Sequence, residues 1–274
     1  MHEGYWGFLE PPFSQTPDPR FFHMGEAHHD AIMMLHYGIS RNKGAVLVSG
    51  SVGLGKTMLC HKLMSLMLPA TTQVVSIVNA RLDSVQFPRE VLAEMGVESK
   101  AKDTQSLLRA LRKRLMENYD RGKKTILFID DAHLIEEQKT FEELRMLLNL
   151  QTEDNFLISI VLSGLPTLGE RLAECEEFGQ MFAVRERLHP LSLVETRDMV
   201  RHRLKTAGYI GPGPFNPEAM IELHLHTKGV PRLICQLADY ALVLGKSKRA
   251  KEIDVPLIHE ASDELFGQAM EDAA

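Results

Sequence analysis

The segment Gly50-Ser51-Val52-Gly53-Leu54-Gly55-Lys56-Thr57 constrains this chain more than any other, because it fits the pattern G-x-x-x-x-G-K-[ST]. The apolar run before it, 45–49 (AVLVS), suits a buried parallel strand, and residues 56–68 after it read as a helix. A glycine-rich turn between a strand and a helix is the context that identifies a phosphate-binding loop. Gly50, Gly53 and Gly55 let the backbone curl so that its N–H groups face inward as an anion cradle. The helix beginning near Lys56 aims the positive end of its dipole at the same phosphates. Lys56 is placed to reach the β- and γ-phosphates of a nucleotide, and Thr57 to ligate Mg²⁺. Ser51, Val52, Leu54 and Met58 complete the stretch expected to contact the nucleotide.

The flanking sequence repeats the strand–helix alternation. Residues 73–78, 125–129 and 156–162 read as further strands, and 25–39, 107–119 and 140–150 as helices. Such alternation implies a parallel sheet with helices on both faces. After Pro190 the pattern changes: 194–207, 217–226, 231–244 and 255–266 are all helical in character, with no convincing strand. The expectation is an α/β P-loop domain over 1–190, including an N-terminal arm over 1–24, followed by a small all-α domain over 191–274. At about 150 residues per domain, a 274-residue chain accommodates two.

The second chemical signal is Ile126-Leu127-Phe128-Ile129-Asp130-Asp131. Four apolar residues make a buried strand that delivers two carboxylates to its C-terminal edge, where ligands of open α/β sheets bind. Asp130 is placed to hold Mg²⁺, and Asp131 to orient or activate an attacking water.

The arm reads YWGFLEPPFSQTPDPRFF over 5–22. Pro11, Pro12, Pro17 and Pro19 forbid a regular helix or central strand, yet Trp6, Phe8, Phe13, Phe21 and Phe22 argue against a disordered tail. An extended arm pinning its aromatics onto the body satisfies both.

The remaining features exclude more than they assign. A formal charge of −6 argues against a whole-surface nucleic-acid or membrane binder. Arg109-Ala110-Leu111-Arg112-Lys113-Arg114 and Lys246-Ser247-Lys248-Arg249-Ala250-Lys251 are local basic clusters that suit either a solvated face or DNA phosphates. Three cysteines (Cys60, Cys175, Cys235) fit neither a disulfide framework nor a metal pattern, and favour a reducing cytoplasm. No apolar run approaches the roughly 18 residues of a membrane span, so direct membrane insertion is not expected. His28-His29 and His224-x-His226 show no third ligand at matching spacing and read as structural or surface histidines.

These motifs occur in one order that resembles the ExeA-type AAA+ ATPases, also called general secretion pathway protein A. The arm FLEPPFSQTPDPRFF, the loop GSVGLGKT, the strand ILFIDDAH, the block FEELRMLLNLQTEDNFLISIVLSGLPTL, the stretch LSLVETRDMVRHRLKTAG and the motif GVPRLICQLADYAL carry the resemblance over nearly the whole chain. The group is similar in turn to the transposition ATPases MuB and TniB. The resemblance implies an AAA+ fold with a helical lid, Mg²⁺-dependent hydrolysis of ATP, and self-association into a ring or filament.

It also implies residue roles. Arg232, in Gly229-Val230-Pro231-Arg232, falls at the sensor-2 position that contacts the γ-phosphate from the lid. Asn79 matches a polar position that restrains the catalytic carboxylate, and Ser163 is the sensor-1 candidate; a strand-end turn explains either residue as well. Two departures stand out. The family usually has Glu where this chain has Asp131, so hydrolysis is expected to be slow. The arginine near Met181 that acts in trans is missing, and Arg185 or Arg187 lies close enough to substitute.

For cellular role, the first expectation is an assembly or accessory factor for a bacterial envelope machine (secretion, pilus or polysaccharide export) with a protein partner. Such a factor would be cytoplasmic or peripheral to the inner membrane through that partner. The alternatives are an ATP-dependent DNA-binding regulator of transposition and a nucleotide-gated switch. Longer family members continue into a membrane segment and a peptidoglycan-binding domain after the lid. Any link to the envelope or DNA is therefore expected to run through a partner or the ATPase surface.

Overall fold

The computed structural model describes residues 3–16, 18–78, 80–153 and 155–267. Internal contacts divide the chain into two compact units: His28–Val52 with Leu59–Leu188, and Met1–Ala27 with Gly53–Met58 and His189–Ala274.

The first unit is built on a five-stranded sheet of order β2-β3-β4-β1-β5. Its strands are β1 (Ala45–Ser49), β2 (Thr72–Ile77), β3 (Lys124–Ile129), β4 (Ile158–Gly164) and β5 (Phe182–Arg187). Every pairing is parallel. β3 and β4 are fully apolar runs apart from their ends and Ser159, as expected for strands covered on both faces. Leu47, Leu127, Ile129, Ile160 and Leu162 share one core with Phe87, Leu111, Phe141 and Phe178 from the connecting helices.

Four of the five strands match the sequence expectation to within two residues at each end. The fifth, FAVRER, does not: its burial alternates, with Phe182 and Val184 inside and Ala183, Arg185 and Arg187 outside. It lies at the sheet edge, half exposed, so it lacks the continuous apolar run by which its neighbours are recognised.

Helices α2 (Glu26–Ser40), α3 (Lys56–Ser65), α5 (Thr104–Asp120) and α6 (Gln138–Leu148) correspond to expected ones. Helices α4 (Gln86–Glu94), α7 (Thr167–Glu174) and α8 (Glu176–Gly179) do not. In α4, Pro88 reads as a breaker but occupies the first turn, where its missing N–H has no intrahelical acceptor to lose. The Asp83 carboxylate accepts the N–H groups of Val85 and Gln86 at 2.8 and 2.7 Å and starts that helix.

The second unit is helical: α9 (Leu193–Thr206), α10 (Pro217–Thr227), α11 (Pro231–Ser247) and α12 (Val255–Ser262), with α1 (Glu3–Trp6) ahead of them in sequence. Local chemistry fixes the starts. Ser192 and Glu195 form a reciprocal capping box on α9. Asn216 and Asp254 accept from the third residue of α10 and α12. Proline stands at the first or second position of α10, α11 and α12. The last helix, expected to reach 266, gives way after Ser262 to a wider π-type turn over Asp263–Gly267.

The arm groups with this helical unit. Trp6, Phe8, Phe13 and Phe21 are buried in one core with Leu191, Val200, Leu237 and Ile258. A single helical turn precedes the first proline and a 3₁₀ turn begins at Pro19; the described residues between them form no regular element, as Pro11 and Pro12 dictate. Trp6 Nε1 donates to the Leu242 carbonyl at 2.9 Å, and its ring abuts Gly245, where an added Cβ would approach it to 2.9 Å. The Leu9 N–H donates to the Ala207 carbonyl at 2.9 Å, and Arg203 donates to the Pro12 and Ser14 carbonyls.

Trp6 is the chain's single tryptophan. Its intrinsic emission is therefore expected to be blue-shifted in the native protein and to move red when the arm detaches. Trp6→Ala is expected to destabilise the helical unit by about 3 kcal/mol through cavity formation. Thermal unfolding followed by circular dichroism checks it; an unchanged midpoint would mean the arm contributes no packing.

Candidate nucleotide-binding site

A parallel sheet brings all its strand C-termini to one edge, and that edge is where the loop and acidic residues emerge. Register makes the placement concrete. Ser49 at the end of β1 pairs with Gly164 of β4 on one side and Arg187 of β5 on the other, and Val48 pairs with Ser163. Ile129 pairs with Leu162, so β3 ends level with the same row. The phosphate loop thus leaves the sheet between two neighbours. The Gly50 N–H donates to the Gly164 carbonyl at 3.2 Å, and the Leu188 N–H to the Ser49 carbonyl at 2.8 Å.

Asp130 follows β3 directly. Its N–H donates to the Ile77 carbonyl at 3.2 Å, extending the β2–β3 ladder by one bond, and its carboxylate accepts the Asp131 N–H at 3.0 Å. Asp131 has φ 47° and ψ 36°, the left-handed region that only Gly, Asn and Asp enter readily. Aspartate is one of the few non-glycine residues that adopt that conformation readily. The twist turns the chain into the 3₁₀ turn Ala132–Leu134 and leaves the Asp131 carboxylate exposed, with His133 Nδ1 3.9 Å from it.

Ser163 is 1% exposed and its Oγ has no hydrogen-bond partner among the described residues. A buried, unsatisfied hydroxyl at a sheet edge is a group awaiting a ligand or water. Arg185 is engaged inside its own unit: it donates to the Gly179 carbonyl and lies over the Phe182 ring at 5.9 Å. Arg187, at the end of β5, is exposed. Between them, Glu186 has its carboxyl pushed above the usual carboxylate range, first by burial and then by Asp30.

The second unit holds the other half of the loop. Gly53 (φ 82°) and Gly55 (φ 88°) adopt the left-handed conformations the cradle needs. The Gly53 carbonyl accepts the Arg232 N–H at 3.2 Å, and a Cβ on Gly53 would stand 3.0 Å from both Arg232 Cβ and Val230 Cγ1. Arg232, the second residue of α11, is therefore brought against the phosphate loop although 179 positions separate it from Gly53 (232 − 53). Its side chain is exposed. Lys56 is buried and opens α3, Thr57 is exposed in the same first turn, and Leu54 is buried. Ser51 and Val52 are exposed and Met58 is half-buried. Asn79 lies outside the described residues.

Residues 39–172 match the family model of the AAA domain. The chain is 34% identical to general secretion pathway protein A of Aeromonas hydrophila over 271 residues, covering 97% of this chain and 49% of that protein. Over nearly its whole length the chain is similar to an AAA+ protein of the ExeA type. It spans about half the length of that curated relative. Among solved structures, the Aeropyrum pernix ORC2 protein in its ADPNP-ADP complexes superposes with TM-score 0.68 at 13% identity, covering 93% of this chain and 71% of that one. Drosophila ORC bound to DNA superposes with TM-score 0.69 at 19% identity, covering 96% and 66%. At these identities the likeness establishes the AAA+ fold, a parallel sheet flanked by helices with a C-terminal helical region.

Proposed function

We propose that the chain is a Mg²⁺-dependent ATPase whose cycle drives an assembly or accessory step of a bacterial envelope machine. The observation that carries the catalytic part is the contact of the Gly53 carbonyl with the Arg232 N–H, which ties a complete phosphate loop to the lid arginine. Each unit carries groups suited to MgATP: left-handed glycines, Lys56 and Thr57 in one, and Asp130 after β3 with the unpartnered Ser163 hydroxyl in the other.

In this reading the loop amides of 50–58 and Lys56 bind and neutralise the phosphates. Thr57 and Asp130 hold Mg²⁺, which supplies charge neutralisation across the β- and γ-oxygens. Asp131 accepts a proton from, or orients, the attacking water. Ser163 and Asn79 report the γ-phosphate or restrain that carboxylate, and Arg232 couples nucleotide state to the lid over 191–274. With Arg185 committed to Gly179 and Phe182, Arg187 is the better candidate for a finger acting on a neighbouring copy in a ring or filament.

Asp131→Asn tests the water-positioning role cleanly, because asparagine tolerates the left-handed backbone as aspartate does. Hydrolysis is expected to fall about 100-fold or more with ATP binding retained, measured by phosphate release and by nucleotide titration. Equal turnover in the two proteins would remove Asp131 from the mechanism.

The envelope role comes from the Aeromonas relative, whose name places it in general secretion. Among the described residues no helix is long and apolar enough to cross a membrane, in keeping with a cytoplasmic position or attachment to the inner membrane through a protein partner. A second reading, DNA binding, is favoured by Arg109, Arg112 and Lys113, three exposed cations on one face of α5. A gel shift on duplex DNA with ATP across a salt series separates the two. Steeply salt-dependent, ATP-dependent retardation supports the second reading, and none supports the first.

A further inference from the structure

Outside the nucleotide site, one group of side chains in the helical unit has the chemistry of a metal centre. Glu222 and His226 stand four residues apart on α10, one turn along the same face. His259 comes from α12. His259 Nε2 lies 3.1 Å and His226 Nε2 3.8 Å from the same Glu222 oxygen, and the three ligand atoms all fall within 4.8 Å of one another. Ligands about 2.0–2.1 Å from a tetrahedral Zn²⁺ stand roughly 3.3 Å apart; the two observed contacts bracket that edge length.

We propose that Glu222, His226 and His259 form a His₂Glu site for a divalent transition-metal ion, with Zn²⁺ the best match. Imidazole nitrogen with carboxylate oxygen is the borderline donor set this ion takes. The outer contacts are also those of a metal site. Ser262 Oγ lies 2.8 Å from His226 Nδ1; with that nitrogen donating to the hydroxyl, the Nε2 lone pair turns toward Glu222 and His259. The two rings meet edge to face with centroids 5.3 Å apart, so both Nε2 atoms converge without stacking. Glu222 is half-buried while His226 and His259 are exposed, which leaves a fourth coordination position open to water or to a donor from another molecule.

The arrangement was not legible as a histidine pair. His224 and His226, two apart on α10, point to different faces: His224 Nδ1 contacts Thr196 Oγ1 at 3.0 Å. The partner of His226 is the preceding Glu222, and the third ligand arrives from 33 positions downstream (259 − 226).

The test is Zn²⁺ titration of the purified, tag-free full chain by calorimetry, with Co²⁺ substitution read by its visible spectrum. One Zn²⁺ per chain is expected, together with a Co²⁺ spectrum lacking thiolate charge transfer. His259→Ala and Glu222→Gln should each lose that binding. Glu222→Gln keeps side-chain size and an oxygen acceptor for His259, so a role confined to hydrogen bonding would survive it. Ser262→Ala is expected to weaken binding about 10-fold or more. His36→Ala, on α2, serves as the control and should bind as wild type does. Circular dichroism establishes that each variant is folded before titration. The proposal is overturned if no stoichiometric Zn²⁺ uptake occurs, or if His259→Ala and Glu222→Gln bind Zn²⁺ as tightly as wild type.

Discussion

Lys56→Ala is expected to lower ATP hydrolysis about 1,000-fold, the loss that follows when one preorganised group facing developing charge is removed. Lys56 opens α3 with its side chain buried, so its position is set by packing. The left-handed glycines on either side of Leu54 hold the loop whether or not the ammonium is present. The variant should therefore fold normally and fail chemically. Circular dichroism and thermal unfolding should match wild type, while phosphate release falls to the blank and ATP affinity weakens. A variant that bound and hydrolysed ATP at the wild-type rate would show the loop to be a structural turn.

The second large effect is on stability. Gly229 (φ 72°) follows Lys228, itself left-handed, and the two residues turn the chain from α10 into α11. A Cβ at 229 would stand 2.0 Å from the Leu191 carbonyl oxygen and 3.0 Å from Leu191 N and C, all backbone atoms. The backbone cannot yield without breaking the Leu191 N–H to Gly229 carbonyl bond of 2.8 Å. Gly229→Ala combines the left-handed penalty with that overlap, and about 4–5 kcal/mol of destabilisation is expected. For a chain of this size that corresponds to a fall in Tm of roughly 10–20 °C. Gly96→Ala isolates the first contribution, since Gly96 has φ 75° but no heavy atom within 4 Å of an added Cβ. It should cost about 1 kcal/mol. Equal effects at the two positions would mean the close approach at Leu191 is absent in solution.

Much of the architecture was readable because its signals are local. β1, β3 and β4 are buried, largely apolar runs, the half-buried edge strand β2 still carries Val74, Val75 and Ile77, and the phosphate loop follows β1 while Asp130 and Asp131 follow β3. What escaped has physical causes. β5 is an edge strand with alternating burial, so Arg185 and Arg187 gave no sign of lying on the strand beside β1. α4 hides behind Pro88, which reads as a breaker but sits in a first turn. The arm's aromatics announced burial but not where, since the core they join is assembled from residues some 200 positions away. Asp131 illustrates the limit best. The sequence suggests a shortened catalytic residue, and only the backbone shows a left-handed turn that suits aspartate better than glutamate. The Glu222, His226 and His259 group depends on the packing of α10 against α12, which no spacing rule reports.

The most direct test of the central claim is single-turnover release of phosphate from γ-labelled ATP by the wild-type chain. It should be run with Mg²⁺, with chelator, and with Lys56→Ala in parallel. Release above the protein-free blank is expected with Mg²⁺ alone, and none with chelator or the variant. Release no faster than the blank in the wild type, or identical release in Lys56→Ala, would contradict the assignment of an ATPase site to this loop.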